Sequence, residues 1–274
     1  MKLAIFTDEI NREDPERALK LAREWGIDFV EVRSLVTGRF PSVPDEEIEE
    51  FRAMIQDVGL RVSGVSPGIS KKQVDSPSLE GDITAGLQRA CEWARRLDTD
   101  VVSGFGFRRA EGEDRPSQVV DHFARMADIA RQNGCRLVLE NEAVCWGATG
   151  IEAAEIIREA DSDNLSLCWD PGNSAKAGSR SPYPDEYEQI KDLVTHVHMK
   201  NFGADTGVWQ LIEDGVVDWP GQIAALKADG YDGFMIVETH TSISAEEFEV
   251  VDHDLAGLEA NSLRNVEYAR SLIG

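Results

Sequence analysis

The stretch Gly134-Cys135-Arg136-Leu137-Val138-Leu139-Glu140-Asn141-Glu142 decides how the whole chain reads. A glycine able to close a helix in the left-handed region is followed by an apolar run, and the run ends in carboxylates. Short runs of this kind are what a parallel strand buried on both faces requires. The unit recurs along the chain, with strands predicted at 2–7, 29–34, 61–66, 100–105, 136–142, 165–170, 195–201 and 234–240. Between them apolar residues fall at helical spacing, as in Ile48, Phe51, Ile55 and Val58, or Val119, Phe123, Met126 and Ala130. Asp14-Pro15, Thr149 three residues before Glu152, and Asp218 ahead of Pro220 are helix starts; the Thr149 and Glu152 pair reads as a capping box. Gly26, Gly59, Gly134 and Gly230 are helix stops.

Eight strand–helix units in 274 residues, with no evident linker, predict an α/β fold: a single (β/α)8 barrel spanning 1–274. A doubly wound sheet would call for a glycine-rich nucleotide turn after an early strand. Thr7-Asp8-Glu9-Ile10 is not one, and Ser103-Gly104-Phe105-Gly106 lacks the third glycine. Acidic residues number 51 against 28 basic ones, a formal charge of −23. So acidic a chain repels phosphate backbones and anionic membranes, so neither nucleic acid nor membrane is an expected partner. Cys91, Cys135, Cys145 and Cys168 form no CxxC pair. The first apolar run meets Thr7-Asp8-Glu9 at once, unlike a secretory signal. The expected setting is reducing and cytoplasmic, and a homo-oligomer is compatible with it.

In such a barrel the reacting groups sit at the C-terminal ends of the strands. Strand five ends in Glu140 and Glu142 on one side with Asn141 opposite, and strand six runs into Asp170. Strand seven puts His196, His198 and Lys200 on one face, and strand eight ends in Glu238, with His240 beyond. Three carboxylates and an imidazole make an oxygen-rich site suited to one divalent ion, Mn²⁺, Mg²⁺, Co²⁺ or Zn²⁺. Without a dication, converging carboxylates repel and some must stay protonated.

Leu-Glu-Asn-Glu at 139–142, Trp-Asp-Pro-Gly-Asn at 169–173, His-Val-His-Met-Lys-Asn at 196–201 and Val-Glu-Thr-His at 237–240 together resemble the sugar phosphate isomerase/epimerase family. Its fold is the xylose-isomerase-like barrel. The resemblance follows strand order through the whole chain and is densest between 136 and 240. It implies metal ligands at Glu140, Asp170, His198 and Glu238, with Glu140 and Glu238 as the proton-transferring carboxylates on either side of the substrate. The family includes keto-sugar epimerases, aldose–ketose isomerases, dehydratases of cyclic polyols and related DNA endonucleases. Glu142 and Asn173 stand where many or some relatives have His, and Asn201 where many have Asp.

The loops after strands three, four and six carry Lys71, Lys72, Arg108, Arg109, Lys176 and Arg180, and Arg33 shares the inward parity of Glu31. Arg33 is expected to receive an anionic group of the substrate. The loop cations serve either that end or the damping of local repulsion. Trp146 is expected as an aromatic wall against the substrate, with Phe6 and Trp169 in the core. Glu142, Asn173, Lys200 and His240 complete the expected substrate-binding set. The expected activity is that of a metal-dependent isomerase or epimerase of a small polyhydroxylated carbonyl compound. A dehydratase or lyase on the same scaffold is the alternative. A phosphodiesterase of the endonuclease type fits poorly with five histidines and a charge of −23. A barrel that binds a metabolite without turnover is disfavoured by the two opposed carboxylates.

Overall fold

Eight parallel strands close on themselves in chain order. The computed structural model describes residues 1–110, 112, 114–240 and 255–274. The barrel strands are β1 (Lys2–Phe6), β2 (Phe29–Val32), β3 (Arg61–Val65), β4 (Val101–Phe105), β5 (Arg136–Glu140), β6 (Leu165–Trp169), β7 (Val194–Met199) and β8 (Phe234–Val237). Closure is made by β8 against β1, with Lys2 opposite Phe234 and Ile5 opposite Val237. β6 and β8 stop just before Asp170 and Glu238, whereas Glu140 is the last residue of β5. Asp170, Lys200 and Glu238 are the first residues beyond their ladders, and all three are buried.

Period-two alternation divides the core in two. Ala4, Phe6 and Ile236, with Phe29 and Phe234, fill one side of the barrel interior, and Val101, Val138 and Cys168 fill another. Outward residues such as Leu137, Leu139, Trp169 and Val197 pack under the helices in a single large cluster. The interior thus keeps its apolar layers low, leaving the upper end to polar groups.

The helix signals act locally as expected. Asp14 accepts from the Arg17 amide at 2.9 Å, and Asp218 accepts from the Gly221 amide at 3.0 Å. Thr149 Oγ1 accepts from the Glu152 amide at 3.2 Å. The Glu152 carboxylate reaches the Ala148 amide (2.9 Å) instead of that of Thr149, so the capping box is offset by one residue. Gly26, Gly59, Gly134 and Gly230 all take φ between 72° and 74°, the left-handed stop that side chains disfavour. No helix among the described residues is long and apolar enough to cross a membrane.

Gly106 has a different reason to be glycine. A Cβ there would lie 1.6 Å from the Trp146 carbonyl oxygen, because the loop after β4 rests directly on the loop after β5. Gly106→Ala must therefore push two backbones apart. The expected cost is about 2–3 kcal/mol, in the range of overpacking, read as a fall of several degrees in Tm. An unchanged Tm would mean that the two loops separate freely.

Candidate active site

Four strands deliver one buried side chain each to a common point. Glu140 from β5, Asp170 after β6, His198 from β7 and Glu238 after β8 each place a ligand-type atom within 4.8 Å of the others. Asp170 is fixed by its backbone role. It caps the short helix Pro171–Lys176, accepting from the Asn173 amide at 2.9 Å and from Asn173 Nδ2 at 2.9 Å. Asn141, facing away from Glu140, clamps the end of β6, accepting from the Asp170 amide and donating to the Asp170 carbonyl, both at 2.8 Å. Asn173 also lies 3.4 Å from Glu140 Oε1. The Asn-Glu and Asp-Pro-Gly-Asn runs are thus two halves of one clamp.

His198 is held from below. Its Nε2 faces Glu31 Oε1 at 3.4 Å, and its ring meets the Phe6 ring edge-on at 5.1 Å. Glu31 is itself fully buried, accepting from His196 Nε2 at 2.8 Å and from Ser63 Oγ at 2.8 Å. The other imidazole nitrogen, Nδ1, lies 3.3 Å from Glu140 and 3.9 Å from Glu238 yet is buried without a hydrogen bond. A histidine oriented by a carboxylate at one nitrogen, with the other aimed at carboxylates, has the form of a metal ligand.

Charge in the cluster points the same way. Lys200 Nζ lies 2.9 Å from Glu238 and 3.0 Å from Asp170, one buried ammonium among three carboxylates. Burial, aided by Glu238 and Glu140 and opposed by Lys200, pushes the Asp170 carboxyl up to about 7. Burial also opposes ionisation of Glu238, but Lys200, His240 and Arg33 outweigh it and hold that carboxyl well below the usual range. A dication would keep Asp170 ionised and satisfy the orphaned imidazole nitrogen. The three-oxygen, one-nitrogen donor set therefore fits a divalent ion.

The other anticipated residues divide. Arg33 reaches the mouth, but its guanidinium already faces Asp8 at 2.9 Å, Glu238 at 2.6 Å and Glu9, and lies over the Phe6 ring at 4.6 Å. Three carboxylates neutralise it, so it steadies Glu238 where a free anion receptor was anticipated. His240 sits beside them with Nδ1 2.9 Å from Glu9 and 3.3 Å from Glu238, its backbone at φ 39°. Glu142 lies outside the four-residue cluster, paired with Lys71. Lys72 pairs with Asp82 and Arg109 with Glu152, so these loop cations balance local acid.

Trp146 does not wall the site. It is 5% exposed, packed into the outer core with Arg109 over its ring at 5.0 Å. The aromatic over the mouth is Trp209, carried by a hairpin of Asn201–Gly203 and Val208–Gln210 that follows β7. Lys200 Nζ lies 4.8 Å and Lys176 Nζ 4.6 Å from its ring centre, and the His240 ring packs edge-on at 5.8 Å. A tryptophan two residues after the turn-forming Asp205-Thr206-Gly207 is the sequence signal for it.

A barrel with acid–imidazole chemistry at its C-terminal mouth is thus defined, and comparison with known proteins places it. Residues 19–261 match the xylose isomerase-like TIM barrel family, and the chain belongs to it. Inosose dehydratase from Lacticaseibacillus casei is 25% identical over 150 residues, covering 46% of this chain and 50% of that protein. The chain spans between about half and two thirds of the length of the first curated relatives it matches. A xylose isomerase-like TIM barrel protein from Mycobacterium smegmatis, in complex with magnesium, superposes with a TM-score of 0.72 at 22% identity, over 100% of this chain and 97% of that one. D-allulose 3-epimerase from Methylomonas sp., in complex with D-allulose, gives 0.73 at 18% identity, over 99% and 96%. At these identities the superpositions establish the shared fold.

Proposed function

We propose that this chain is a divalent-metal-dependent isomerase or epimerase of a small polyhydroxylated carbonyl compound. Proton transfer by Glu140 and Glu238 passes through an enediolate. The observation that supports this reading is the meeting of those two carboxylates, from β5 and β8, at one buried point shared with Asp170 and His198. These four side chains would hold a divalent ion, which would supply Lewis-acid stabilisation of the enediolate charge.

The protein groups divide the remaining work. Among the described residues Glu140 has the lighter polar contacts, His198 at 3.3 Å and Asn173 at 3.4 Å, and is the freer of the two carboxylates to take a proton. Glu238, gripped by Arg33 and Lys200, approaches from the other side in a fixed position. Lys200 and His240 stand beside it as donors toward substrate hydroxyl groups. Trp209 covers these donors and limits the access of water to them.

A second reading shares the first step. The same enolate can expel a β-hydroxyl group, with Lys200 or His240 supplying the proton, and the similarity to inosose dehydratase favours it. The test is to incubate the metal-loaded protein in deuterated water with keto-sugars, inososes and hydroxy acids. Deuterium on the carbon beside the carbonyl, in an isomerised or epimerised product, supports the first reading. Loss of one water from the product selects the second. Either reaction should stop when the metal is chelated, and exchange that survives chelation would sink both readings.

A further inference from the structure

The hairpin after β2 delivers two guanidinium groups to the barrel mouth, and among the described residues only one of them is ion-paired. Ser34–Leu35 pairs antiparallel with Gly38–Arg39, and the Phe40 amide donates to the Arg33 carbonyl at 2.9 Å, so Arg33 and Arg39 emerge side by side. Arg33 is surrounded by Asp8, Glu9 and Glu238. Arg39 forms no ion pair among the described residues. Its Nη2 donates to the Ser66 carbonyl at 3.2 Å and to the Ser66 hydroxyl at 3.4 Å, and its Nε is buried with no acceptor. In a chain of charge −23, where acid is in surplus, a half-buried guanidinium with no ion-pair partner among the described residues is placed to take its counter-ion from a ligand.

The location makes that partner a substrate group. The Arg39 guanidinium lies 5.5 Å from the Phe105 ring centre, and Lys71 Nζ lies 4.6 Å from the same ring. Phe105 is the ladder neighbour of Glu140, so both cations stand one strand away from the metal-type cluster. The side chain is also fixed in place. It lies flat over Gly68, where a Cβ would come within 2.9 Å of Arg39 Cδ and 3.0 Å of Nε.

We propose that Arg39 receives an oxyanion substituent of the substrate, carboxylate or phosphate, and so selects acidic polyols over neutral ones, while Lys71 beside the same Phe105 ring stays paired with Glu142. Arginine suits the role because its planar fork offers several donors to two oxygens at once. Burial and the neighbouring Arg33 charge, opposed by the more distant Glu140, Asp8 and Glu238, pull the Arg39 pKa below its ordinary value. This inference rests on the reading of the mouth as a site for polyhydroxylated carbonyl chemistry, and its test is separable from the test of that reading.

The test is a calorimetric titration of the metal-loaded protein with matched pairs: quinate against myo-inositol for the carboxylate, and fructose 6-phosphate against fructose for the phosphate. The charged member of at least one pair should bind ten-fold or more tighter, and the pair that discriminates names the oxyanion. In Arg39→Met the ratio should fall toward one while metal content and Tm are kept, and Arg39→Lys should restore part of it. Equal binding of charged and neutral members by the wild-type protein, or a ratio unchanged in Arg39→Met, overturns the assignment. The wild-type comparison needs no variant, so a misfolded Arg39→Met does not remove the test. A protein that holds metal and exchanges solvent deuterium but ignores charge fails here alone. One that does neither fails at the earlier reading.

Discussion

Glu140→Gln and Glu238→Gln are each expected to lose turnover by about 10²-fold or more, the scale of a removed general acid or base. Glutamine keeps an oxygen at the ligand position and removes the basic group, so substrate binding should outlast turnover. The two variants should not behave alike. Glu140 has light contacts, and its loss should appear mainly in kcat. Glu238 is faced by Arg33 at 2.6 Å, Lys200 at 2.9 Å and His240 at 3.3 Å. Removing its charge leaves those groups under-compensated, so KM and metal affinity should move as well. If two carboxylates share the transfer, one variant should still exchange the substrate's carbon-bound proton with deuterated solvent while forming no product. Full turnover in both variants would reject the two-carboxylate mechanism and turn attention to Glu142 or His240.

Glu31→Ala should be the most damaging single change to stability in the barrel interior. Glu31 holds His196 at 2.8 Å, Ser63 at 2.8 Å and His198 at 3.4 Å, all away from water. Burial opposes its charge, but the two histidines outweigh burial and hold its carboxyl far below the usual range. A depressed carboxylate pKa contributes stability above the unfolded value, lost only as pH falls toward the folded one, so the contribution is fully present at neutral pH. Removing one partner of a buried pair costs about 3–5 kcal/mol. At about 2–4 °C per kcal/mol for a chain of this order, Tm should fall by roughly ten degrees. Glu31→Gln retains a hydrogen-bonding oxygen and should lose less. Both should weaken metal binding by about 10- to 100-fold, because His198 loses the group that orients it. An unchanged Tm and metal affinity in Glu31→Ala would show that the histidine pair stands without it.

The barrel and the four converging side chains are legible in the sequence because strand alternation and helix stops are local signals. Period-two geometry brings Glu140 with Glu142, and His198 with His196, to one face, and the family resemblance singles out Glu140, Asp170, His198 and Glu238 among them. What surrounds them is set by contacts between distant segments. Asp8 and Glu9, in the short helix Asp8–Asn11 after β1, neutralise Arg33, and nothing near Arg33 in the chain announces that pairing. The hairpins carrying Arg39 and Trp209 have strands of two or three residues, too short for any periodicity to register. Trp146 shows the opposite failure. Its loop position suggested a wall, but the close approach of Gly106 to the Trp146 backbone folds that loop down and carries the indole into the outer core.

The decisive measurement is the metal content per chain. Purified protein is stripped with chelator, reloaded with Mn²⁺, dialysed and assayed by elemental mass spectrometry. The geometry of Glu140, Asp170, His198 and Glu238 predicts about one ion per chain in the wild type. Asp170→Ala and His198→Ala should retain less than about a tenth of it, since each removes a ligand from a four-residue set. A full complement in either variant, or a wild-type protein that retains no divalent ion, would contradict the site.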